Sequence, residues 1–345
     1  MNNHRRNILL RAALILLLAG AAFFLLMRTA EQSWQDRYQT RETRETGTQA
    51  FMDEGIVDWK GNRYRKKPAV TLILLAGIDK DGTEADPAGM NYRNGGQADF
   101  LMLLAIDHGE QQVYQLQIDR DTMAEVTVLG VYGNETGTRE LQICLAHSYG
   151  ARPEDNADYT VRAVKKLLNG LEIDGYYMVD YSSVPALTDL LDGVPVTIEE
   201  DMTAVNPEWH RGHTITLRGK DAETFVRTRK TVGSGTNAER MNRQAAYMRS
   251  AVDGIRRKLA EKAEFASDLL SALHAIAVTD LTDKRLLEEI NEARAYEVQP
   301  VDHLPGRYDT DGSGYAAFYP EVGSAEEWIM NHLYTIRQEG AAGRQ

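Results

Sequence analysis

Two aspartates and one arginine have residue types that could bind a metal ion and a phosphate, and each stands at the boundary of an apolar segment. Asp79 follows the first of three such segments, Asp99 comes directly before the second, and Arg120 follows the third. Carboxylate oxygens are common ligands of divalent cations, and a guanidinium group can bind two phosphate oxygens at once. If the three side chains meet, their chemistry suits a divalent cation beside a phosphate.

The three apolar segments predict neighbouring strands. They cover Val70–Ala76, Phe100–Ile106 and Val113–Ile118, and a short polar link that contains a glycine, 107–110, joins the last two. A link of this length makes the second and third strands antiparallel neighbours. If the first strand also pairs antiparallel with the second, the two aspartates and the arginine lie at one edge of one sheet.

A second group of polar residues follows a short predicted helix around Ala222–Phe225. Arg227 and Arg229 come next, and they point to the same side if the backbone there is extended. Arg240 and Gln244 lie one turn apart in the first turns of a long predicted helix, where free N–H groups and the helix dipole favour an anion. The sequence therefore gathers arginines where a phosphate could bind.

The long helix also carries an apolar stripe with 4-3-4-3-4 spacing, which is typical of a face buried against the rest of the protein. We assign this stripe to the core. Its members are Met241, Ala245, Met248, Val252, Ile255 and Leu259.

Helical and strand-like patterns alternate in the middle of the chain. They predict a helix at Tyr159–Leu168, a strand at Tyr176–Val179, a helix at Val184–Leu191 and a strand at Val194–Ile198. Such alternation indicates an α/β layer fold, and the antiparallel first strands make its sheet mixed. The predicted fold class is α/β, with a mixed central β-sheet flanked by helices on both faces.

Composition limits the classes of function. The chain has 345 residues, of which 43% are apolar, so it can bury a full core. A formal net charge of −12 argues against a nucleic-acid partner, because nucleic-acid binders usually present a basic face. Cys144 is the single cysteine, which excludes an intrachain disulfide. The histidines show no spacing with cysteine partners that would indicate zinc.

The N-terminal region predicts a membrane anchor. Residues 8–27 form an apolar run that only Arg11 interrupts and that has the ~20 residues needed to span a bilayer, and residues 1–7 form a short basic tail. The arginines at and before its start place the tail in the cytoplasm and the rest of the protein outside. A cleaved signal peptide is the alternative, but no clear small-x-small cleavage site follows Met27.

The remaining boundaries follow from changes in composition. Residues 28–67 are polar and charged, and they predict a stalk that is part helical or part disordered. A folded domain follows at 68–338, and residues 339–345 form a tail. Four basic residues near the end of the stalk could belong to a solvated linker or contact anionic lipid headgroups. They are Arg63, Arg65, Lys66 and Lys67.

Six short motifs occur in order along the predicted domain. They are Leu75-Ala76-Gly77-Ile78-Asp79, Gln97-Ala98-Asp99-Phe100-Leu101-Met102, Leu116-Gln117-Ile118-Asp119-Arg120-Asp121-Thr122, Leu191-Asp192-Gly193-Val194, Val226-Arg227-Thr228-Arg229 and Arg240-Met241-Asn242-Arg243-Gln244. Their order and spacing resemble those of the LytR-CpsA-Psr proteins, which are membrane-anchored enzymes of Gram-positive-type cell envelopes. The resemblance covers roughly residues 68–338 together with the tail and the anchor.

The resemblance implies the αβα domain of LytR-CpsA-Psr (LCP) proteins. It also implies a membrane-anchored, extracytoplasmic phosphotransferase. Such an enzyme takes a glycopolymer phosphate, for example of teichoic acid or capsule, from a polyprenyl-pyrophosphate carrier. It joins this phosphate to a sugar hydroxyl of peptidoglycan through a phosphodiester link. The implied partners are the lipid-linked glycan donor, the peptidoglycan acceptor and the membrane lipid. Apolar helix faces would enclose the lipid.

Roles are carried over from the family to matching positions. Asp79 and Asp99 would hold a Mg²⁺ or Mn²⁺ ion that bridges the pyrophosphate. Five side chains would bind the pyrophosphate oxygens, namely Arg120, Arg227, Arg229, Arg240 and Gln244. Arg120, Asp121 and Arg227 would take part in catalysis. Asp121 would act as the base that activates the acceptor hydroxyl, or would only orient Arg120.

The chain departs from the family pattern at three positions. Gln97 replaces an arginine, Asp119 replaces a proline, and Asn237 replaces an aspartate. Two other functions therefore stay open at this point. One is hydrolysis of a polyprenyl pyrophosphate with water as the acceptor, and the other is a non-catalytic regulator that binds an envelope lipid or polysaccharide.

Overall fold

The structure is a computed structural model that describes residues 55–80, 95–130, 132–150, 152–229, 231–262, 264–274, 277–311 and 314–336. The chain divides into two compact units, residues 1–65 and 66–345. The predicted cytoplasmic tail, membrane anchor and C-terminal tail lie outside the described residues. Within the described ranges, no helix has the length and apolar character needed to cross a membrane.

The described part of the first unit is a β-hairpin. Strand β1 (Ile56–Trp59) pairs antiparallel with β2 (Asn62–Lys66). Lys60 and Gly61 form the turn, with φ of 46° and 79°, which is the backbone of the tight turns that match strand twist. The hairpin lies within the predicted stalk, where we expected helical or disordered chain. Lys-Gly lacks the Asn-Gly or Asp-Gly signature, which explains why the turn was missed.

The second unit contains thirteen described strands and seven described α-helices. The strands are β3 (Val70–Asp79), β4 (Gln97–Asp107), β5 (Gln112–Ile118), β6 (Met123–Leu129), β7 (Glu135–Gln142), β8 (Gly175–Asp180), β9 (Val194–Thr197), β10 (Thr214–Leu217), β11 (Ala277–Thr279), β12 (Glu297–His303), β13 (Gly306–Thr310), β14 (Ala316–Pro320) and β15 (Tyr334–Ile336). The helices are α1 (Pro153–Leu167), α2 (Val184–Leu190), α3 (Gly219–Arg227), α4 (Asn237–Glu261), α5 (Phe265–His274), α6 (Asp283–Ala293) and α7 (Ser324–Leu333). Short 3-10 helices cover Ile143–His147 and Tyr181–Ser183.

Six strands form a mixed central sheet in the order β11-β8-β3-β4-β5-β12. Strand β4 is antiparallel to both β3 and β5, as predicted. The pairs β3–β8 and β5–β12 are parallel, and β8–β11 is antiparallel. This arrangement confirms the mixed α/β fold. The strand predicted at Val194–Ile198 exists as β9, but it pairs with β10 in a separate two-stranded sheet.

Helices flank the central sheet, and β4 is buried on both sides. Leu101 and Leu103 on one side of β4 have no exposed surface, and Phe100 and Met102 on the other side are also buried. Helices α2 to α5 contribute to the core against the second side. Helix α1 packs against β8 and β11, where its carboxylates lie near Tyr176. A strand that is covered on both sides has a nearly continuous apolar sequence, as β4 does.

Several predicted element boundaries differ from the structure, including those of α1 and α3. Helix α1 begins at Pro153, six residues before the predicted start, because proline and acidic residues suit the first helical turn. Helix α3 continues through Arg227, so the extended backbone considered for Arg227 and Arg229 was wrong at Arg227. The chain leaves the helix only at Thr228, which has φ −59° and ψ 135°.

Candidate functional site

The register between β3 and β4 places the two aspartates at the same edge of the sheet. Asp79 pairs with Gln97, while Gly77 pairs with Phe100 and Ile78 with Ala98. Asp99 is therefore the extra residue of a β-bulge. Because a bulge changes the direction in which a side chain points, it can place a polar group at a site while the flanking strand stays apolar.

The Asp99 carboxylate lies between two guanidinium groups. Arg120 donates from Nη1 to Oδ1 of Asp99, and Arg240 donates from Nη1 to Oδ2 at 2.7 Å. Asp99 and Arg240 are 5% and 4% exposed, so this is a buried charge cluster. Arg120 also contacts Gln97 Oε1 at 2.5 Å and Asp121 Oδ1 at 3.2 Å. The predicted meeting of Asp99 and Arg120 is confirmed, with Arg240 beside them.

Arg227 connects the other aspartate to α3. Its Nη2 donates to Oδ1 of Asp79, and its Nη1 donates to Oε1 of Glu223 at 2.9 Å. The Arg227 side chain keeps 33% of its surface exposed. Glu223 was not predicted as a site residue, although its position four residues before Arg227 on a helix is a usable signal. Arg227 can therefore contact a ligand with its exposed surface while two carboxylates hold it.

Arg243 is a buried residue of the sixth motif to which the sequence assigned no role. It donates from Nε to the Phe225 carbonyl oxygen at 3.2 Å and from Nη2 to the carbonyl oxygen of Thr228. Its Nη1 forms an ion pair with Glu200. These bonds fix the end of α3, and Arg243 thereby positions Arg227 rather than contacting a ligand.

Asp121 has one engaged and one unengaged carboxylate oxygen. Oδ1 accepts hydrogen bonds from Arg120 and from Gln142, the latter at 3.5 Å. Oδ2 is buried and has no hydrogen-bond partner within the described part of the chain. Burial raises the pKa of Asp121, although the positive charges of Arg120 and Arg229 act in the opposite direction. A carboxylate with a raised pKa and an unengaged oxygen can accept a proton.

Arg229 follows the end of α3 and is partly exposed. Its guanidinium group makes no hydrogen bond to the residues that the structure describes, yet its charge lies close enough to Asp121 to oppose the rise in that pKa. Arg229 thus belongs to the same cluster and has donors available for a ligand.

Two of the positions that depart from the family pattern are in contact. Asn237 accepts hydrogen bonds on Oδ1 from Arg240 Nη2 at 2.6 Å and Nε at 3.1 Å. Its Nδ2 donates to Asp119 Oδ1 at 2.7 Å. Asp119 also accepts from the backbone N–H of Asp121 at 2.8 Å and from the Tyr308 hydroxyl. The third departure, Gln97, contacts Arg120 where the family pattern has an arginine.

Gln244 lies one helical turn after Arg240 on α4 and is almost fully buried. Its Nε2 donates to the Tyr181 hydroxyl at 2.8 Å, and its Oε1 accepts from Gln117 at 3.3 Å. Gly77 lies nearby, where an added Cβ would be 3.1 Å from Phe100 Cβ and 3.4 Å from the Tyr181 ring. The sequence located Gln244 correctly on α4, but it gave no signal for Tyr181.

An apolar cavity of about 380 Å³ opens beside Gln244 and Tyr181. It lies between one face of the central sheet and the helices α2, α4, α5 and α6. Four residues of the stripe that we assigned to the core also line the cavity, namely Met248, Val252, Ile255 and Leu259. Leu259 is a buried core residue, and Met248 and Ile255 pack against the core. A regular apolar stripe has the same spacing whether it faces side chains or a cavity. Gly77 and Val226, which line the cavity, lie two and one residues before Asp79 and Arg227.

Asp79 and Asp99 could bind a metal ion only together with oxygen atoms of a bound ligand. Among the described residues, no group of three or more histidine, cysteine or acidic side chains is arranged to hold a metal. Asp79 and Asp99 provide two carboxylates, each of which already faces a guanidinium group. Mg²⁺ commonly binds one or two carboxylates together with substrate phosphates and water. The pair would therefore hold Mg²⁺ only in a site that a phosphate ligand completes.

The fold and the site together define a class of protein: a mixed α/β domain with an arginine-rich anion site at a sheet edge and an apolar cavity opening beside it. A family model, the LytR_cpsA_psr family, matches residues 26–325. The chain belongs to this family, as the motifs indicated.

Two curated relatives of this chain are named as transferases. The teichoic acid transferase TagU of Bacillus cereus, named polyisoprenyl-teichoic acid–peptidoglycan teichoic acid transferase, is 25% identical over 282 residues. That alignment spans 80% of this chain and 82% of the relative. TagU of another Bacillus cereus strain is 24% identical over 230 residues, which is 66% of either chain.

Solved structures share the fold. Bacillus subtilis TagV superposes with a TM-score of 0.58 at 21% identity and covers 77% of this chain and 98% of TagV. TagT, in a structure described as bound to LI-WTA, has a TM-score of 0.57 at 18% identity and covers 77% and 91%. At these identities the likeness establishes the fold.

Proposed function

We propose that this protein is a membrane-anchored, extracytoplasmic phosphotransferase that attaches a glycopolymer to peptidoglycan through a phosphodiester link. The observation that carries the proposal is the junction between the arginine cluster and the apolar cavity. A lipid-linked pyrophosphate has the same two parts, an anionic head and a long apolar tail. The family and the names of the relatives support the same reaction.

The donor would place its tail in the cavity and its pyrophosphate among the arginines. The cavity wall is almost entirely apolar, and burial of a hydrocarbon tail is favourable by about 0.8 kcal/mol per CH₂ group. Arg120, Arg227, Arg229 and Arg240 would bind the phosphate oxygens. Gln244 stands where the tail meets the head and has an amide that can turn toward a phosphate oxygen.

The balance of charge supports a divalent cation in the loaded site. Within the part of the chain that the structure describes, five cationic side chains face five carboxylates before the donor binds. The cations are Arg120, Arg227, Arg229, Arg240 and Lys220, and the carboxylates are Asp79, Asp99, Asp119, Asp121 and Glu223. A pyrophosphate adds net negative charge to this neutral set. Asp79 and Asp99 would hold Mg²⁺ or Mn²⁺, which would neutralise charge on the phosphate oxygens.

The reaction would transfer the phosphate that carries the glycan. An acceptor sugar hydroxyl attacks this phosphorus, a new P–O bond forms, and the P–O bond to the bridging oxygen breaks. Polyprenyl monophosphate leaves, and the hydroxyl proton passes to Asp121 Oδ2. Arg120 and Arg227 would stabilise negative charge on the transferred phosphoryl group.

The membrane tether suits this donor. A polyprenyl carrier stays in the bilayer, so an enzyme that uses it has to work at the membrane surface. The apolar run at 8–27 would provide the anchor, with the N-terminus in the cytoplasm and the catalytic domain outside.

The proposal is tested with purified protein, a short-chain polyprenyl-pyrophosphate glycan and soluble peptidoglycan glycan, with Mg²⁺ or with EDTA. We expect transfer by the wild type with Mg²⁺ and a loss of at least about 10²-fold in Arg120→Ala, because a charge-stabilising group is removed. Asp79→Ala should raise the Mg²⁺ concentration needed for half-maximal rate. Donor binding without turnover would reject an enzyme, and release of phosphorylated glycan without transfer would identify a hydrolase.

A further inference from the structure

A second, smaller cavity lies next to the arginine cluster and is separate from the apolar cavity. We call it the side pocket, and its volume is about 180 Å³. It is bounded by the end of β5, the first turns of α4 and the β13–β14 hairpin. The side pocket and the apolar cavity share no lining residue among the described parts of the chain.

The segment 118–122 separates the side pocket from the arginines. Ile118, Asp119 and Thr122 line the pocket, whereas Arg120 and Asp121 between them contact each other beside Asp99. A ligand in the pocket would thus lie within a few residues of the proton acceptor proposed above.

The lining of the side pocket has polar and aromatic parts. Tyr308 and Phe318 face each other across the β13–β14 hairpin, with ring centroids 4.9 Å apart. Tyr308 donates its hydroxyl hydrogen to Asp119 and is still 50% exposed. His303 and Asn242 provide further hydrogen-bonding groups. Burial lowers the pKa of His303, which disfavours the charged form of its ring.

This chemistry excludes a second phosphate site. The described lining of the pocket contains an aspartate and neither lysine nor arginine, so an anion would be repelled. A pyranose sugar, in contrast, has an apolar C–H face that packs on aromatic rings and a rim of hydroxyl groups for carboxylate, amide and imidazole partners. A closed cavity of ~150 Å³ holds a benzene ring, and the side pocket is somewhat larger and has exposed lining residues, so the ring of one sugar can enter it.

Resting on the proposed function, we propose that the side pocket binds one sugar ring of the acceptor glycan and presents its hydroxyl to the phosphate held by the arginines. The direction of the reaction favours the acceptor over the donor glycan. In phosphoryl transfer the attacking and leaving oxygens lie roughly in line across the phosphorus. The leaving polyprenyl phosphate belongs to the apolar cavity, so the attacking hydroxyl has to come from elsewhere, and the side pocket is a separate cavity lined by the neighbours of Asp121.

Ala238→Trp tests this site. Ala238 lines the pocket and is exposed on the first turn of α4, so a larger ring can fill the pocket without replacing core residues. Tyr308→Ala removes the aromatic wall instead. The control is Arg249→Trp, which adds the same ring at an exposed position of α4 that lines neither cavity.

The binding of a soluble peptidoglycan tetrasaccharide without donor is measured first, and the acceptor KM and donor Kd follow. We expect both pocket variants to weaken tetrasaccharide binding and to raise the acceptor KM by about tenfold or more, as the loss of a few ring contacts predicts. The donor Kd should match that of Arg249→Trp.

Three results would overturn the assignment. These are a wild type that does not bind the tetrasaccharide, pocket variants that bind it normally, and a weakened donor Kd with an unchanged acceptor KM. The last result would place a donor sugar in the pocket. Failure of the proposed function is distinct, because it would appear in the wild type as no turnover of the donor.

Discussion

Asn237 donates a hydrogen bond to Asp119 over 2.7 Å and accepts two from Arg240, so one amide connects a carboxylate to a guanidinium. Both Asn237 and Asp119 depart from the family pattern, which has an aspartate and a proline at these positions. In the family pattern the carboxylate stands at position 237, next to Arg240. Here the carboxylate is on Asp119, and the Asn237 amide lies between it and Arg240. The two departures are therefore linked, and neither by itself indicates a lost activity.

This link predicts that Asn237 and Asp119 are energetically coupled. Asn237→Asp replaces the donor that faces Asp119 with a second carboxylate, and we expect it to lower the free energy of unfolding by about 2 kcal/mol. Adding Asp119→Asn should restore a donor between the two positions, with a coupling energy of at least ~1 kcal/mol. Urea unfolding of the four proteins in this double-mutant cycle measures the coupling. Strictly additive effects would contradict the link.

Arg240 and Arg227 should differ in their effects on stability. Arg240→Gln leaves the buried Asp99 with one cationic partner fewer, and we expect a cost of about 3 kcal/mol in unfolding free energy. Arg227→Gln removes partly exposed ion pairs with Asp79 and Glu223, and because Lys220 still pairs with Glu223 it should cost less, about 1 kcal/mol. Transfer should nevertheless fall about 10²-fold in Arg227→Gln if it stabilises the transferred phosphoryl group. Equal losses of stability in the two variants would argue against this difference.

Asp121 should determine the acid limb of the pH profile. A base acts in its deprotonated form, and burial raises the pKa of Asp121 above the usual 3.8. Activity should therefore increase as the pH rises through this raised pKa. Asp121→Asn should remove that limb and lower kcat by about 10²-fold or more.

The same variant distinguishes the two roles considered for Asp121. An asparagine keeps an oxygen that can accept from Arg120, so a residue that only orients Arg120 would tolerate the change. A small loss of kcat with an unchanged acid limb would assign Asp121 that orienting role.

The apolar cavity predicts a dependence on tail length. Val252→Trp places a large ring in the cavity, and it should weaken binding of a long-chain donor by about tenfold or more, since roughly two buried CH₂ groups account for that factor. A donor with a very short tail should bind almost as before. Asp253→Trp, at an exposed position next in the chain, is the control. Equal weakening for both donors would show that the tail does not occupy this cavity.

The sequence predicted much of the site because strand order and helix position decide it. The antiparallel pairing of β4 and β5 follows from their short link, and it brings Asp99 to Arg120. The pairing of β3 with β4 was only a condition of the prediction, because residues 80–96 separate the two strands. The bulge at Asp99 could not be predicted, because it depends on how the register adjusts across two strands. Contacts between distant segments, such as Asp119 with Asn237 and Tyr308, have no local signal.

Sequence periodicity could not predict the apolar cavity either. Met248 and Val252 repeat with the same spacing as core residues, and only the separation of α4 from the central sheet leaves space beside them. In contrast, the long helix itself and the position of Arg240 and Gln244 in its first turns followed directly from the pattern.

The most direct test of the account is the fate of the transferred phosphate. Donor labelled in the phosphate next to the glycan is incubated with peptidoglycan tetrasaccharide, and the products are identified by mass spectrometry. We expect the tetrasaccharide to gain the glycan with one labelled phosphate, and an equal amount of polyprenyl monophosphate to appear. Labelled glycan phosphate released in solution beside unmodified tetrasaccharide would contradict the account.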